Sequence, residues 1–415
     1  MAQVESMVNG LELEKVIPKV RTLFEREDKF YSRIQKRPAE KVSNRQMRIS
    51  LELRPGGSFA YFNPDGGDLG RGGGPTYDKA VVNCVFMVEA IEYTKLSQWS
   101  TDDERKAVVN SVRRLTATAL DEIRRQIDSQ MMQAGTGVIG TVTTDTPSGG
   151  SNVIALTTDG FGARLMRFDQ TIQIWDATLA TKRGEGKITL LDVENKTITV
   201  TPQIAGVIAT DLIVTAGLTS PASLPALLGV PYHHSNASTG TWLGFSRSAT
   251  PEIRANRVNA GGASLTLPLP RLVLTKIGNR LGEDAKFKPK AWMHPAQLAN
   301  YENIGQLISN INIAGGAKTF DPYFTKYQMA GSEVETNYSW DKTRIDFVVE
   351  DVWGRAEILP IGFYTVDGRK FFELRGASGG VATADIFYMV VGMQTYVTNP
   401  AAVAYIDNLA VPAGY

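Results

Sequence analysis

The chain has 415 residues, 44 Lys and Arg against 43 Asp and Glu, and one cysteine, which is enough length for one large core or two to three modest ones. Nearly cancelling charges argue against a protein whose main work is to coat itself with nucleic acid, although one DNA-facing surface stays open. The lone Cys84 excludes an intramolecular disulfide framework; with no signal-peptide pattern in Met-Ala-Gln-Val-Glu-Ser and no stretch of 18 apolar residues, the chain is expected to fold in a reducing cytoplasm and to cross no membrane.

Residues 1–45 carry a loose apolar stripe (Val16, Val20, Phe24, Ile34) among Glu, Lys and Arg, interrupted by Pro18 and closed by Pro38. Too apolar-poor for its own core, the segment reads as an arm that lies on something else. Residues 46–94 read as a long two-stranded hairpin. Ile49, Leu51 and Leu53 alternate with polar residues, and a returning run from Lys79 to Tyr93 is rich in Val, Phe and Ile. The tip between them contains Arg54, Gly56, Gly57, Asp68, Arg71, Gly72, Gly73 and Gly74, a composition that makes turns and little packing. An isolated hairpin is marginal in water, so this one needs a partner surface.

The clearest element is a helix from Thr101 to Ala134. Thr101 and Glu104 form a capping box, Val108, Val112, Leu115, Ala119, Ile123, Ile127 and Met131 recur at helical spacing, and Gly135 ends it. Such a helix is about 50 Å long, a structural spine. Its arginines Arg113, Arg114, Arg124 and Arg125 could face DNA through phosphate contacts; intersubunit or intrahelical pairing with Asp121, Glu122 and Asp128 at helical spacing is the favoured reading.

From 150 to 218 short strands dominate, with Ile172 and Ile174, Ile188 and Leu190, and Ile198 and Val200 alternating with polar residues. A turn at Asp192–Lys196 joins two of them in a hairpin, and the segment reads as an inserted small β-barrel. A Pro, Ser and Gly-rich link follows at 219–240. Helices are expected at 265–282, broken near Pro268 and Pro270, and at 295–310, with strands at 344–350, 356–366, 370–375 and 385–397.

No catalytic, metal or cofactor constellation emerges. Adjacent His233 and His234 rarely ligate one metal and, with His294, lack His-Glu-x-x-His or Cys-x-x-Cys partners, so they read as surface-loop residues. Ser246 fails the nucleophile-elbow pattern because Ser248 stands where glycine is needed. Gly70–Gly74 lacks the phosphate-loop order. Asp102-Asp103 reads as a helix-start acid pair, Glu350-Asp351 as a solvated strand end, and Cys84 as a small core side chain.

This order of parts resembles the Hong Kong 97-type major capsid fold of tailed phages. Trp242-Leu-Gly-Phe-Ser-Arg-Ser248 followed by Pro251 is similar to the approach to that family's axial domain, and Asn399-Pro-Ala-Ala-Val-Ala-Tyr405 to its closing stretch. The resemblance implies an α+β chain: N-terminal arm 1–45, extended loop 46–94, peripheral domain with spine helix 95–149, inserted barrel-like domain 150–218, axial domain 219–340, returning peripheral strands 341–398 and C-terminal segment 399–415. It also implies a non-enzymatic major capsid protein whose hexamers and pentamers close into an icosahedral shell around double-stranded DNA, contacted non-specifically. A separate scaffolding protein, a portal and a decoration protein would be its partners, and the virion its location, after assembly in the host cytoplasm. Some relatives join subunits through Lys–Asn bonds; Lys79 is the lysine near the loop tip, but no pattern identifies its partner and no crosslink is expected. Rival readings are an encapsulin-like compartment shell and a β-rich tail or adhesin protein, the latter disfavoured by the spine helix and the lack of repeats.

Overall fold

The computed structural model describes residues 28–36, 40–41, 46–59, 61, 72–94, 104–157, 160–282, 288–312, 328–375 and 381–414; side chains are described for most of these, but not for 40–41, 94, 104–114, 305–312, 375 or 381–383. It is a mixed α+β chain in two compact units. One draws on Met1–Ser32, Cys84–Asp128 and Glu357–Met393, the other on Arg33–Asn83, Ser129–Ala356 and Gln394–Tyr415.

A short helix, α1 (Lys29–Arg33), buries Phe30 and Tyr31. Of the expected arm stripe, Ile34 is buried, while Val16, Val20 and Phe24 lie outside the described residues. Next, β1 (Glu40–Lys41), β2 (Gln46–Arg54) and β3 (Thr76–Asn83) form an antiparallel three-stranded sheet, with Gln46 opposite Asn83 and Ile49 opposite Ala80. The expected hairpin of 46–94 therefore ends at Asn83. The returning apolar run is split at the buried Cys84, and its second half, β4 (Val85–Thr94), pairs with a different strand near the C-terminus. Strand propensity is continuous through both halves, so propensity alone could not show the change of partner.

The spine helix is α2 (Glu104–Gln130), whose 27 residues span about 40 Å, shorter than the expected 50 Å. Ala119, Ile123 and Ile127 are buried as their spacing predicts; the capping residue Thr101 lies outside the described residues. The helix stops before Gly135 because later backbone takes over its exit. Gly229 N donates to Gln133 O and Val230 N to Met131 O, and a Cβ on Gly229 would meet Met131 O at 2.0 Å.

Six strands then close into a barrel in the order β10-β5-β6-β9-β8-β7: β5 (Val138–Ser148), β6 (Ser151–Leu156), β7 (Thr171–Trp175), β8 (Lys182–Asp192), β9 (Thr197–Thr201) and β10 (Leu212–Thr215). Ile139, Ile154, Ile172, Ile174, Ile188, Val200 and Ile213 are fully buried. Gly184 and Gly186 are small by necessity, since a Cβ would stand 2.7 Å from Ile204 and 2.5 Å from Val200. The β8–β9 hairpin turns at Asp192–Lys196 as expected. The closed unit begins at Val138, however, and not at 150. Its first strand, Val-Ile-Gly-Thr-Val-Thr-Thr-Asp-Thr-Pro-Ser, is too Thr-rich for its apolar alternation to stand out.

After the link, α3 (Val230–His233) and a two-residue-strand hairpin of β11 (Thr241–Trp242) and β12 (Phe245–Ser246) lead to a six-stranded mixed sheet. Its order is β13-β21-β17-β14-β16-β15, with β13 (Asn256–Asn259), β14 (Lys290–Met293), β15 (Gln328–Met329), β16 (Ser332–Thr336), β17 (Ile345–Val348) and β21 (Ala404–Asp407). Helix α4 (Pro268–Leu281) keeps both prolines in its first turn, where amides have no intrahelical acceptor, so no break results. It packs with α5 (Pro295–Asn312) on one sheet face, over Val258, Ala291, Met293, Ile345, Phe347, Ala404 and Ile406. Two expected boundaries move. Strand 345–348 belongs to this sheet rather than to returning strands, and the closing segment supplies one of its inner strands, β21.

The remaining strands are β18 (Trp353–Phe363), β19 (Phe371–Arg375) and β20 (Val381–Val397), joined as β18-β20-β19 with β4 also on β20. β4 pairs with β20 over ten residues, from Thr94 opposite Ala384 to Val85 opposite Met393.

Candidate functional site

The groups to place are the exposed loop, the spine arginines and any buried polar cluster. The extended loop leaves the β2–β3 ladder through a neck of crossing backbones. Gly57 N donates to Gly73 O at 2.7 Å, and a Cβ on Gly56 would lie 2.4 Å from Gly74 C and Pro75 N. Gly56 is thus required by close approach, a more specific role than the expected flexible turn. Gly72 is also crowded, by Ser58 N at 3.1 Å, whereas Gly73 and Gly74 meet nothing within 4 Å. Gly57 has φ +108°, a left-handed backbone that favours glycine.

Beyond the neck Phe59 and Tyr61 stand 90% and 95% exposed, edge-to-face with centroids 5.7 Å apart. Sequence reading did not single out this exposed pair. Arg54 is tied to the same unit by Glu252, Nε to Oε1 at 2.9 Å. Asp68 and Arg71 lie outside the described residues.

On the spine, Arg124 pairs with Asp28 at 3.1 Å and lies over the Tyr31 ring, while Arg125 reaches Glu122 at 3.7 Å. Asp128 accepts from Tyr31 N at 2.7 Å. Both arginines pair within the chain, Arg124 with a residue just before α1 and not with one of its own helix. Arg113 and Arg114 are on α2 with side chains outside the description.

The three histidines are not on a loop surface: His233 and His234 are wholly buried and His294 nearly so. Their setting is the sheet face opposite the α4–α5 core. Strand alternation turns Trp292, Asp346 and Tyr405 to that face, where they stand side by side in register across β14, β17 and β21. Asp346 Oδ1 accepts from His234 Nδ1 at 2.9 Å and from Arg344 Nη2 at 2.7 Å, and Oδ2 accepts from Trp340 Nε1 at 3.0 Å. Arg344 stacks 4.1 Å over the Tyr405 ring. Burial pushes the Asp346 carboxyl up, but Arg344 and His234 outweigh it and hold it below the usual range. Burial likewise dominates at His234, keeping it neutral despite Asp346.

His233 Nδ1 accepts from Trp242 Nε1 at 3.2 Å, leaving Nε2 to donate to Thr395 Oγ1 at 3.4 Å; Thr395 Oγ1 donates on to Leu228 O. Burial, then the neighbouring His234, depresses His233 to about 3. His294 Nδ1 accepts from Ala296 N at 3.0 Å, capping the start of α5, and burial followed by Arg164 and Lys342 lowers it to about 3. All three histidines are thus buried and hydrogen-bonded within the fold.

Elsewhere, Ser246 and Ser248 hydroxyls bond each other at 2.8 Å on the surface. Burial pushes the Cys84 thiol up to about 11, which removes it as a nucleophile. Glu350 is not merely solvated, since Lys290 holds it at 3.0 Å and Arg33 at 3.6 Å. Among the described residues no three His, Cys, Asp or Glu side chains converge as a metal site, and no helix is long and apolar enough to cross a membrane.

No family model and no curated protein matches the chain. Among solved structures it is similar to a chain of the cyanophage A-1(L) capsid asymmetric unit, at TM-score 0.54 and 11% identity, over 97% of this chain and 99% of that one. It is also similar to the capsid of a native GTA particle (TM-score 0.49, 11% identity, 98% of each chain) and to the holo-SrpI encapsulin complex from Synechococcus elongatus (TM-score 0.45, 7% identity, 99% and 97%). The first of these establishes the fold: the chain is built, nearly end to end, as a phage capsid chain is.

Proposed function

We propose that the chain is the major capsid protein of a tailed double-stranded-DNA phage, a structural subunit with no catalytic role. The observation that carries this reading is the end-to-end correspondence with a capsid chain, which leaves no sizeable segment over for another activity. The exposed Phe59–Tyr61 pair beyond a backbone-locked neck supports it, because such a projection gains a packing face when it lies on a neighbour. In this reading hexamers and pentamers of the chain close into the icosahedral shell by repeated heterologous contacts. The parts are the arm, an extended loop now bounded at 46–83, the spine helix and peripheral strands, a barrel inserted at 138–215, and an axial domain built on the six-stranded sheet. A separate scaffolding protein, a portal, packaged DNA and a decoration protein are its proposed partners, and the virion its location.

The test is negative-stain microscopy and sedimentation of the chain expressed with and without its genomic neighbours. Rings or closed shells are expected, and nuclease-protected DNA inside them distinguishes a capsid from a protein-filled compartment. A strictly monomeric species at every concentration, salt and scaffold condition would overturn the reading.

A further inference from the structure

A concentration of cations that outnumber their acids lies on the six-stranded-sheet side of the chain, in an open cleft of about 440 Å³ lined by Asn236, Glu252, Arg254, Asn256, Arg257, Lys276 and Arg280. Counting the salt-bridge partners just outside it, Arg54 and Asp407, five cations meet two carboxylates, in a chain whose total charge is +1. The two carboxylates are already engaged, Glu252 by Arg54 and Asp407 by Arg257.

The other cations are held by backbone carbonyls instead of by acids. Arg280 Nη1 donates to Arg254 O at 2.6 Å and Nη2 to Glu252 O at 2.9 Å. Arg254 Nε and Nη2 both donate to Arg247 O, at 2.8 and 2.5 Å, and Lys276 Nζ donates to Arg257 O at 2.6 Å. Each side chain is fixed in place, yet Arg254 Nη1, Arg257 Nη1, Arg280 Nε and two Lys276 protons have no protein acceptor among the described residues. Donors of one charge already held in place can meet an incoming anion without further ordering cost.

From this we infer that the cleft binds phosphate groups, either free or in a phosphodiester backbone. A carboxylate brings one charge and two oxygens, whereas a phosphate brings up to two charges and three oxygens that suit donors from several side chains. The lining offers no aromatic or large aliphatic side chain, so there is no seat for a peptide's apolar residues or for a stacked base. Recognition is therefore of phosphate without sequence. The inference concerns the single chain and stands apart from the proposed shell role; either can fail alone.

The test titrates the full-length chain with inorganic phosphate and pyrophosphate against chloride of equal ionic strength, and then with a labelled 20-base-pair duplex. Two variants accompany it. Lys276→Gln removes one donor, and Asn236→Asp adds a carboxylate at the rim while breaking no side-chain bond. Saturable pyrophosphate binding, weakened at least tenfold by either variant with melting temperature unchanged, is expected. Duplex binding displaced by pyrophosphate assigns the phosphodiester source; pyrophosphate binding without duplex binding assigns free phosphate. Absence of saturable binding above the chloride control, equal binding by wild type and a folded Asn236→Asp chain, or selective binding of a poly-glutamate peptide would each overturn the inference.

Discussion

His234 Nδ1 and Asp346 Oδ1 meet at 2.9 Å inside the sheet, with Arg344 closing the same carboxylate from the other side. The Asp346 carboxylate is buried and the Arg344 guanidinium largely so, and each depends on the other. Removing one partner of a buried pair typically costs about 3–5 kcal/mol, because the survivor is left uncompensated. Asp346→Asn should destabilise the chain by about that much in urea melts monitored by tryptophan fluorescence. A loss below roughly 1 kcal/mol, the worth of an exposed pair, would place the cluster in solvent.

The buried histidines make stability depend on pH in a definite direction. All three are held neutral in the folded chain, with pKa values below that of the unfolded chain. As pH falls below about 6.5 the unfolded chain takes up protons that the folded chain does not, so stability is full above that pH and falls below it. Each histidine contributes a slope of roughly 1.4 kcal/mol per pH unit, continuing towards about 3 for His233 and His294. Urea midpoints at pH 7, 6, 5 and 4 should drop progressively, and replacing the three by Gln should both flatten the slope and lower stability at pH 7. Midpoints constant from pH 7 to 5 would contradict the burial.

At the loop neck, Gly56→Ala should break the Gly57–Gly73 hydrogen bond, because the new methyl cannot fit against Gly74 and Pro75. Amide exchange at Gly57 should accelerate while the β2–β3 ladder stays protected, and shell formation should suffer with the monomer's melting temperature nearly unchanged. Gly73→Ala, which meets open space, is the control. Identical exchange in both variants would show that the crossing is not what shapes the loop.

Limited trypsin digestion probes the same loop from outside. Arg54 precedes Pro55, a bond that trypsin does not cut, so the probe is Arg71, where cleavage should be rapid in the free chain. Assembly should protect that site. Equal cleavage in the two states would remove the loop from the intersubunit contact.

The barrel's limits can be tested by expressing fragments. Residues 138–217 contain all six strands and should unfold cooperatively. Residues 150–218 lack β5, which opens the ring and leaves β10 and β6 each with a single neighbour, and should give no cooperative transition. Cooperative folding of the shorter piece would mean that closure is dispensable.

Legibility in the sequence tracked how locally each feature is determined. The spine helix stripe from Ala119 to Ile127 and the Asp192–Lys196 turn depend on neighbours within a few residues, and both were readable. The change of partner at Cys84 was not, because Val81 and Val85 look alike and differ only in which distant strand they meet. His233 and His234 sit between Pro231 and Ser235, a loop-like context. Their burial depends on Asp346, Trp242 and Thr395, which no spacing rule connects. The cationic cleft was equally hidden, since its residues are dispersed over 236–280 and meet only when α4 lies on the sheet.

The barrel's closure has a practical consequence. A ring of strands has no free edge, so nothing can be added to it sideways; change can enter only through its turns. The Ser148–Ser151 turn has open space for this: a Cβ at Gly149 or Gly150 would meet nothing within 4 Å, although their left-handed φ keeps these two positions for glycine. A foreign peptide grafted there would leave every strand pair of the ring intact, which makes this turn the natural port for displaying cargo on the chain.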